Sequence, residues 1–242
     1  MTRVYLPDGI ENGQPVTITG DEAHHLLHVV RVRVGDRLGL FDGRGRAWVA
    51  RVDRCGRREV VAVELLAVAA PAEPPVRVVL AAAVLKGDQM DAVVRDATVM
   101  GACAVQPVTT AHVTVPTRTR RSDAPPERWH RVAVAAARQC GRAVLPALRP
   151  VRPIDEVLGG APTMLVCLEP AAGDVRLADW RQDPRPDEAI LFVGPEGGWS
   201  ADECRRFEAV GARAVHLGPR TLRAEVTPIV ALTQLWSVWG WH

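Results

Sequence analysis

The sequence predicts an α/β protein: a parallel sheet with covering helices over its C-terminal two thirds, preceded by a small β-rich domain. Three observations carry this. From residue 76 onward, short unbroken apolar runs alternate with helical patterns, the order that builds a parallel sheet covered on both faces. Residues 1–70 hold five short strand patterns separated by turn residues. Between the two lies a Pro/Ala-rich stretch, Ala67 to Pro75, which reads as a linker. The expected domains are therefore 1–70, a linker at 71–75, and 76–242.

In the first domain the strand patterns are Arg3 to Leu6, Pro15 to Thr19, Arg37 to Phe41, Ala47 to Val52 and Val60 to Leu66. Asp42-Gly43-Arg44-Gly45 is a hairpin signal between two of them. A short helix is expected to begin at Asp21, a good N-cap residue. His24 and His28 stand four apart on it, which is metal-ligand spacing, but no Cys cluster or H-E-x-x-H pattern accompanies them. Capping, packing or RNA contact is the expectation there, and no metal.

In the second domain Val76 to Leu85 is the first strand, and a helix runs from about Asp88 to Met100, ended by Gly101. Ala104 to Val108 is the next strand. Pro126 to Gly141 is an amphipathic helix that places Trp129, Val132, Ala136 and Cys140 on its core face and projects Arg128, Arg131, Arg138 and Arg142 mostly elsewhere. Thr163 to Leu168 is a further strand, ending in Glu169-Pro170, and Ala171 to Pro186 reads as irregular. The last helix, Glu225 to about Trp239, is apolar nearly all round, as a buried helix is.

Bulk properties set bounds. With 242 residues and 48% hydrophobic content, the chain can bury a full core. Its N-terminus has no apolar signal-peptide core, and runs such as Val78 to Leu85 are too short to span a bilayer, so a cytoplasmic protein is expected. The five cysteines are widely spaced without a C-x-x-C pair, which supports neither a zinc ribbon nor a disulfide framework. Charge is uneven. Val76 to Pro153 carries 12 Lys/Arg against 5 Asp/Glu, whereas Ile154 to His242 carries 8 against 13. A basic middle segment suits a phosphate backbone, and equally a solvated face paired with the acidic third.

Two loops near the C-terminus organise the chain. Ala189 to Val193 is an apolar strand, followed by Gly194-Pro195-Glu196-Gly197-Gly198-Trp199-Ser200. The glycines allow close approach to a ligand, and Ser200 with Glu203 forms a capping box that starts a helix. Ala214 to Leu217 is the next strand, followed by Gly218-Pro219-Arg220-Thr221-Leu222-Arg223-Ala224-Glu225. Ligands of open α/β sheets bind outside the carboxyl ends of the strands, so these loops are the expected site.

The pair resembles the closing motifs of the SPOUT methyltransferases, a trefoil-knotted class, and within it the family that methylates N3 of a uridine in 16S ribosomal RNA. That family reads G-P-E-G-G-hydrophobic-S-x-x-E, then L-G-x-x-I/L-L-R-x-E. This chain supplies Gly194 to Gly198, Ser200 and Glu203, then Leu217, Gly218, Leu222, Arg223 and Glu225. Lys86, Gly87, Asp88, Met90 and Gly101 match an earlier motif, and Arg128, Trp129, Ala136, Gln139 and Arg142 match another. Residues 1–70 resemble the family's PUA-like RNA-binding barrel through His24 to Arg31, Gly35-Asp36 and Phe41-Asp42-Gly43. Asp96, Val99 and Val226 depart from the pattern; a Thr is usual at Val226, and Thr227 is a possible substitute.

The resemblance implies a homodimer that binds S-adenosylmethionine among three loops: Leu168 and Glu169; Val193, Gly194, Pro195, Glu196, Gly197 and Gly198; and Leu217, Gly218, Arg220, Leu222 and Arg223. A Gly197→Val substitution is expected to block the cofactor's approach. RNA would be held by Arg31, Arg33 and Arg44 of the first domain and by Lys86, Arg118, Arg120, Arg121 and Arg142 of the second. Uridine N3 must lose a proton before methylation, so Glu225 or Glu196 is the candidate base, and Arg223 the candidate cation for uracil O2/O4. Glu225 as a helix-terminal charge and Glu196 as a partner of loop amides are the structural alternatives. Another RNA target, or RNA binding without catalysis, are the other functions open at this point.

Overall fold

The computed structural model describes residues 1–242 except 9, 11–12, 114–123, 159–162, 168–174, 181–184 and 242. Two compact units emerge: Met1–Glu73 with Val134–Leu145, and Pro74–Ala133 with Pro146–His242.

The first unit is built on strands β1 (Thr2–Tyr5), β2 (Val16–Ile18), β3 (Arg37–Phe41), β4 (Ala47–Cys55) and β5 (Val60–Val68), in sheet order β1-β3-β4-β5-β2. β1 runs parallel to β3, and the remaining pairs are antiparallel. Val4, Ile18, Leu38, Leu40, Trp48, Val52, Val60 and Ala62 fill its core. The expected helix is α1 (Gly20–His24), and it continues as a π-helical turn over His25–Val30 that Arg31 ends at φ 60°. Asp42 anchors the β3–β4 turn. Its buried carboxylate accepts the Arg44 and Arg46 backbone N–H groups at 2.8 and 3.1 Å, and Arg46 Nε at 2.7 Å.

The second unit is an all-parallel sheet. Its strands are β6 (Arg77–Ala83), β7 (Ala104–Thr109), β8 (Ala147–Leu148), β9 (Arg152–Pro153), β10 (Met164–Cys167), β11 (Val175–Arg176), β12 (Glu188–Val193) and β13 (Arg213–His216). They run in the order β11-β13-β10-β12-β6-β7-β8, with β9 also on β7. Side chains alternate between two cores, as a doubly covered sheet demands. Val78, Leu80, Ala82, Leu191 and Val193 face one core; Val79, Ala81, Ile190 and Phe192 face the other. The first is covered by α2 (Gln89–Val99) and the C-terminal helix, the second by Ile154, Val157 and Phe207.

Three expectations are corrected. The helix α3 (Glu127–Cys140) does not serve one core: Trp129 and Val132 pack into the second unit, whereas Ala137, with Ala143, packs on Phe41 and Ala47 in the first. Arg142, expected to be available to RNA, is only 6% exposed. Its Nε and Nη2 grip the Glu73 carboxylate at 2.5–3.0 Å, because a guanidinium withdrawn from water needs a paired charge. The last helix (Thr227–Trp239) begins two residues later than expected, since Pro228 fits only the first turn, where no backbone N–H is needed. Ile154–Val157 and Ala201–Ala209 are α4 and α5, and this last helix is α6.

Candidate functional site

The site forms where three neighbouring strands end together. β10 lies between β12 and β13, and Cys167 is in register with both Val193 and Val215. The loops that leave β12 and β13 therefore start at one edge of the sheet, on either side of the β10 end. Leu168 and Glu169, which follow β10, lie outside the described residues, as do Arg118, Arg120 and Arg121.

The β12 loop is held by local and distant bonds. The capping box at α5 is formed as the spacing predicts: Glu203 N donates to Ser200 Oγ at 3.3 Å, and Ser200 N to Glu203 Oε2 at 2.8 Å. Glu203 is 3% exposed because its other oxygen has a partner too, the Ala111 N–H at 2.8 Å. Beside it His112 Nδ1 lies 3.1 Å from the Gly198 carbonyl. Loop 110–113 thus braces the glycine loop. No local pattern marks Ala111 or His112, since their partners lie some ninety residues away in sequence. A Cβ on Gly197 would meet His112 Cβ at 3.1 Å, so Gly197→Val presses first on this brace. A Cβ on Gly194 would meet the Trp199 indole at 3.1 Å.

Gly198 (φ +66°) and Gly218 (φ +147°) face open space: nothing lies within 4 Å of a Cβ built on either. These are cradle positions, where a missing side chain leaves room for a ligand. The β13 loop is fixed from α6, whose Gln234 Nε2 donates to the Leu217 carbonyl at 2.9 Å while its Oε1 is buried without a partner among the described residues. The Arg223 carbonyl accepts Val226 N, Thr227 N and Thr227 Oγ1 at 2.9–3.0 Å. The Thr227 hydroxyl proton is therefore committed to holding the turn. Arg220 and Arg223 are exposed, and Leu222 is half-buried.

The two candidate carboxylates come together. Glu196, on the first loop, is exposed; Glu225, on the second, is half-buried. Both reach the Gln89 side chain: Nε2 lies 3.4 Å from Glu225 Oε2, and in the reversed amide orientation it donates to Glu196 Oε1 at 3.2 Å. Gln89 was not among the residues the sequence singled out, although it sits between the matching Asp88 and Met90. Lys86, just before it, is exposed. Burial, reinforced by Glu203 and Glu208, pushes the Cys204 thiol up, away from the thiolate form.

Arg31, Arg33 and Arg44 are exposed on the first unit. Among the described residues no group of three or more His, Cys, Asp or Glu is placed to hold a metal ion, and no helix is long and apolar enough to cross a membrane.

Comparison with known proteins agrees with this architecture. Residues 72–236 match the model of an RNA methyltransferase domain, and residues 18–65 that of an RNA methyltransferase PUA domain. The chain is 33% identical over 224 residues to ribosomal RNA small subunit methyltransferase E of Synechocystis sp., covering 91% of this chain and 72% of that protein. It is 34% identical over 236 residues to the protein of that name from Mycobacterium bovis, covering 94% and 87%. The crystal structure of ribosomal RNA small subunit methyltransferase E from Neisseria gonorrhoeae, bound to S-adenosyl methionine, superposes with a TM-score of 0.88 at 31% identity, over 99% of this chain and 98% of that one. By its domains, its SPOUT methyltransferase fold and its relatives, the chain belongs to the ribosomal RNA small subunit methyltransferase E family.

Proposed function

We propose that this protein transfers the methyl group of S-adenosylmethionine to N3 of a uridine in 16S ribosomal RNA, within the small subunit, as a cytoplasmic homodimer. The reading is supported by two loops that leave neighbouring strand ends, one with Glu196 and the open Gly198, the other with the open Gly218 and Glu225, and by the Gln89 side chain that both carboxylates reach. The donor set fits the cofactor: Gly198 and Gly218 leave open space, and Gln234 fixes the Leu217 backbone, so backbone groups of Val193 to Gly198 and Leu217 to Arg223 would hold it, with Leu168 and Glu169 after β10. When bound, the cofactor supplies an electrophilic methyl group on a sulfonium.

The residues of the chain do the rest. Uridine N3 bears a proton at neutral pH and is a poor nucleophile until it is removed. A carboxylate of the Glu196/Glu225 pair takes that proton, and the exposed Arg223 guanidinium stabilises the charge developing on uracil O2 or O4. Arg31, Arg33, Arg44 and Lys86, all exposed, hold the phosphate backbone, together with Arg118, Arg120 and Arg121. Val226, exposed beside Glu225 where the family has Thr, favours a second reading, in which another RNA nucleotide is the target.

The test is nucleoside mass spectrometry of 16S ribosomal RNA from a strain lacking the gene. Loss of 3-methyluridine, restored by complementation, is the expected result. Persistence of 3-methyluridine together with loss of a different methylated nucleotide would move the target to the second reading.

A further inference from the structure

One neutral side chain touches both candidate carboxylates. Gln89 opens α2, and its position is fixed: Arg128 binds Asp88 Oδ1 through Nη2 at 2.5 Å and Asp91 Oδ2 through Nε at 2.6 Å, clamping the turn on both sides of it. The Gln89 amide has two orientations. In one, its Nε2 donates to Glu225 Oε2 at 3.4 Å, and its oxygen confronts Glu196 Oε1 and the Lys86 carbonyl, two acceptors. In the other, both N–H groups find acceptors, Glu196 Oε1 at 3.2 Å and the Lys86 carbonyl at 3.1 Å. The second satisfies more of the amide at shorter distances. It also turns the amide oxygen toward Glu225. A carboxylate oxygen meets an amide oxygen favourably only when it carries a proton to donate.

We propose that Gln89 is a positioning residue that distinguishes the two carboxylates: its N–H group holds Glu196 within the glycine loop, and its oxygen is left to accept a hydrogen bond from Glu225 once that carboxylate has taken the uracil proton. Glu225 is then the proton acceptor of the reaction, and Glu196 is not. This rests on the methyl transfer proposed above. In the step, the uracil N3–H bond breaks and its proton passes to Glu225, which donates it in a hydrogen bond to Gln89 Oε1. The electron pair left on N3 forms the new N–C bond as the methyl–sulfur bond breaks, that pair staying on sulfur. Glu225 later returns its proton to water.

The experiment compares full-length wild type, Gln89→Leu, Glu225→Gln, Glu196→Gln and the two double variants. The substrates are small subunits from the gene-deleted strain and S-adenosylmethionine. Gln89→Leu is expected to lower kcat about 10- to 100-fold, less than the roughly 10²- to 10⁴-fold of a direct acid–base group because it acts through Glu225. It leaves the Kd for the cofactor within about two-fold, since no cofactor-loop backbone changes. Added to Glu225→Gln, Gln89→Leu lowers kcat no further; added to Glu196→Gln, it keeps its full effect. Gln89→Met, of nearly the same length, gives the same readings should the leucine variant fold poorly. Wild-type kcat in both Gln89 variants, or an equal loss in the Glu225→Gln background, overturns the assignment. Wild-type enzyme that methylates no uridine in these subunits overturns the methyl-transfer reading itself, a separate outcome.

Discussion

Gly218 holds φ at +147° with open space where a side chain would stand. Any Cβ there strains the backbone and enters the cradle. Gly218→Ala is expected to weaken S-adenosylmethionine binding at least about ten-fold by calorimetry, while backbone strain lowers stability by about 1–3 kcal/mol. Glu225→Gln keeps shape and removes the carboxylate proposed as the base; kcat is expected to fall about 10²- to 10⁴-fold with cofactor affinity retained, as single-turnover kinetics would show. Arg142 tests the opposite kind of residue. Arg142→Ala leaves Glu73 without its bidentate partner and is expected to cost about 2–4 kcal/mol in denaturant unfolding, with RNA affinity unchanged in filter binding. The resemblance made Arg142 look like an RNA contact. Its pairing with Glu73 spans 69 residues and has no local signature.

At the scale of elements, what could be read from the sequence was what local chemistry decides. The Ser200/Glu203 box, the strand ends at Phe41 and Val193 and the Gly101 stop are set by neighbours within a few residues, and they stand where spacing put them. The start of α6 was misplaced because the apolar pattern outran the constraint imposed by Pro228. The contacts that complete the site were invisible, since Ala111 and His112 meet the β12 loop only through the folded sheet. Glu203 joins both kinds of contact. Glu203→Ala removes the acceptor of two backbone N–H groups and is expected to cost about 2–4 kcal/mol, against about 1 kcal/mol for Ser200→Ala. Chemical denaturation of the two variants checks the ranking.

For the whole molecule, acid sensitivity has an identifiable source in Asp42. Burial raises its proton affinity, but the Arg46 side chain and the Arg44 and Arg46 backbone N–H groups outweigh that and hold it below the usual carboxylate range. A group depressed on folding contributes stability above its unfolded value, near about pH 4, and loses it as pH falls through the folded value. Thermal melts from about pH 7 to about pH 3 are expected to show a falling Tm, less steep in Asp42→Asn, which starts from a lower Tm at neutral pH.

The division of α3 between two cores has a consequence for synthesis. Tyr5 and Ala70 pack on Phe41 and Ala47 from the first segment, but Ala137 and Ala143 complete that cluster, and the Arg3 guanidinium donates to the Ala137 and Arg142 carbonyls. The segment made first is therefore not finished first. All of Pro74 to Ala133 must be translated in between, which takes several seconds at roughly 5–20 residues per second. Throughout that interval the first segment lacks the partners that residues 134–145 supply, so the N-terminal unit is expected to complete its packing only after residue 145 has left the exit tunnel.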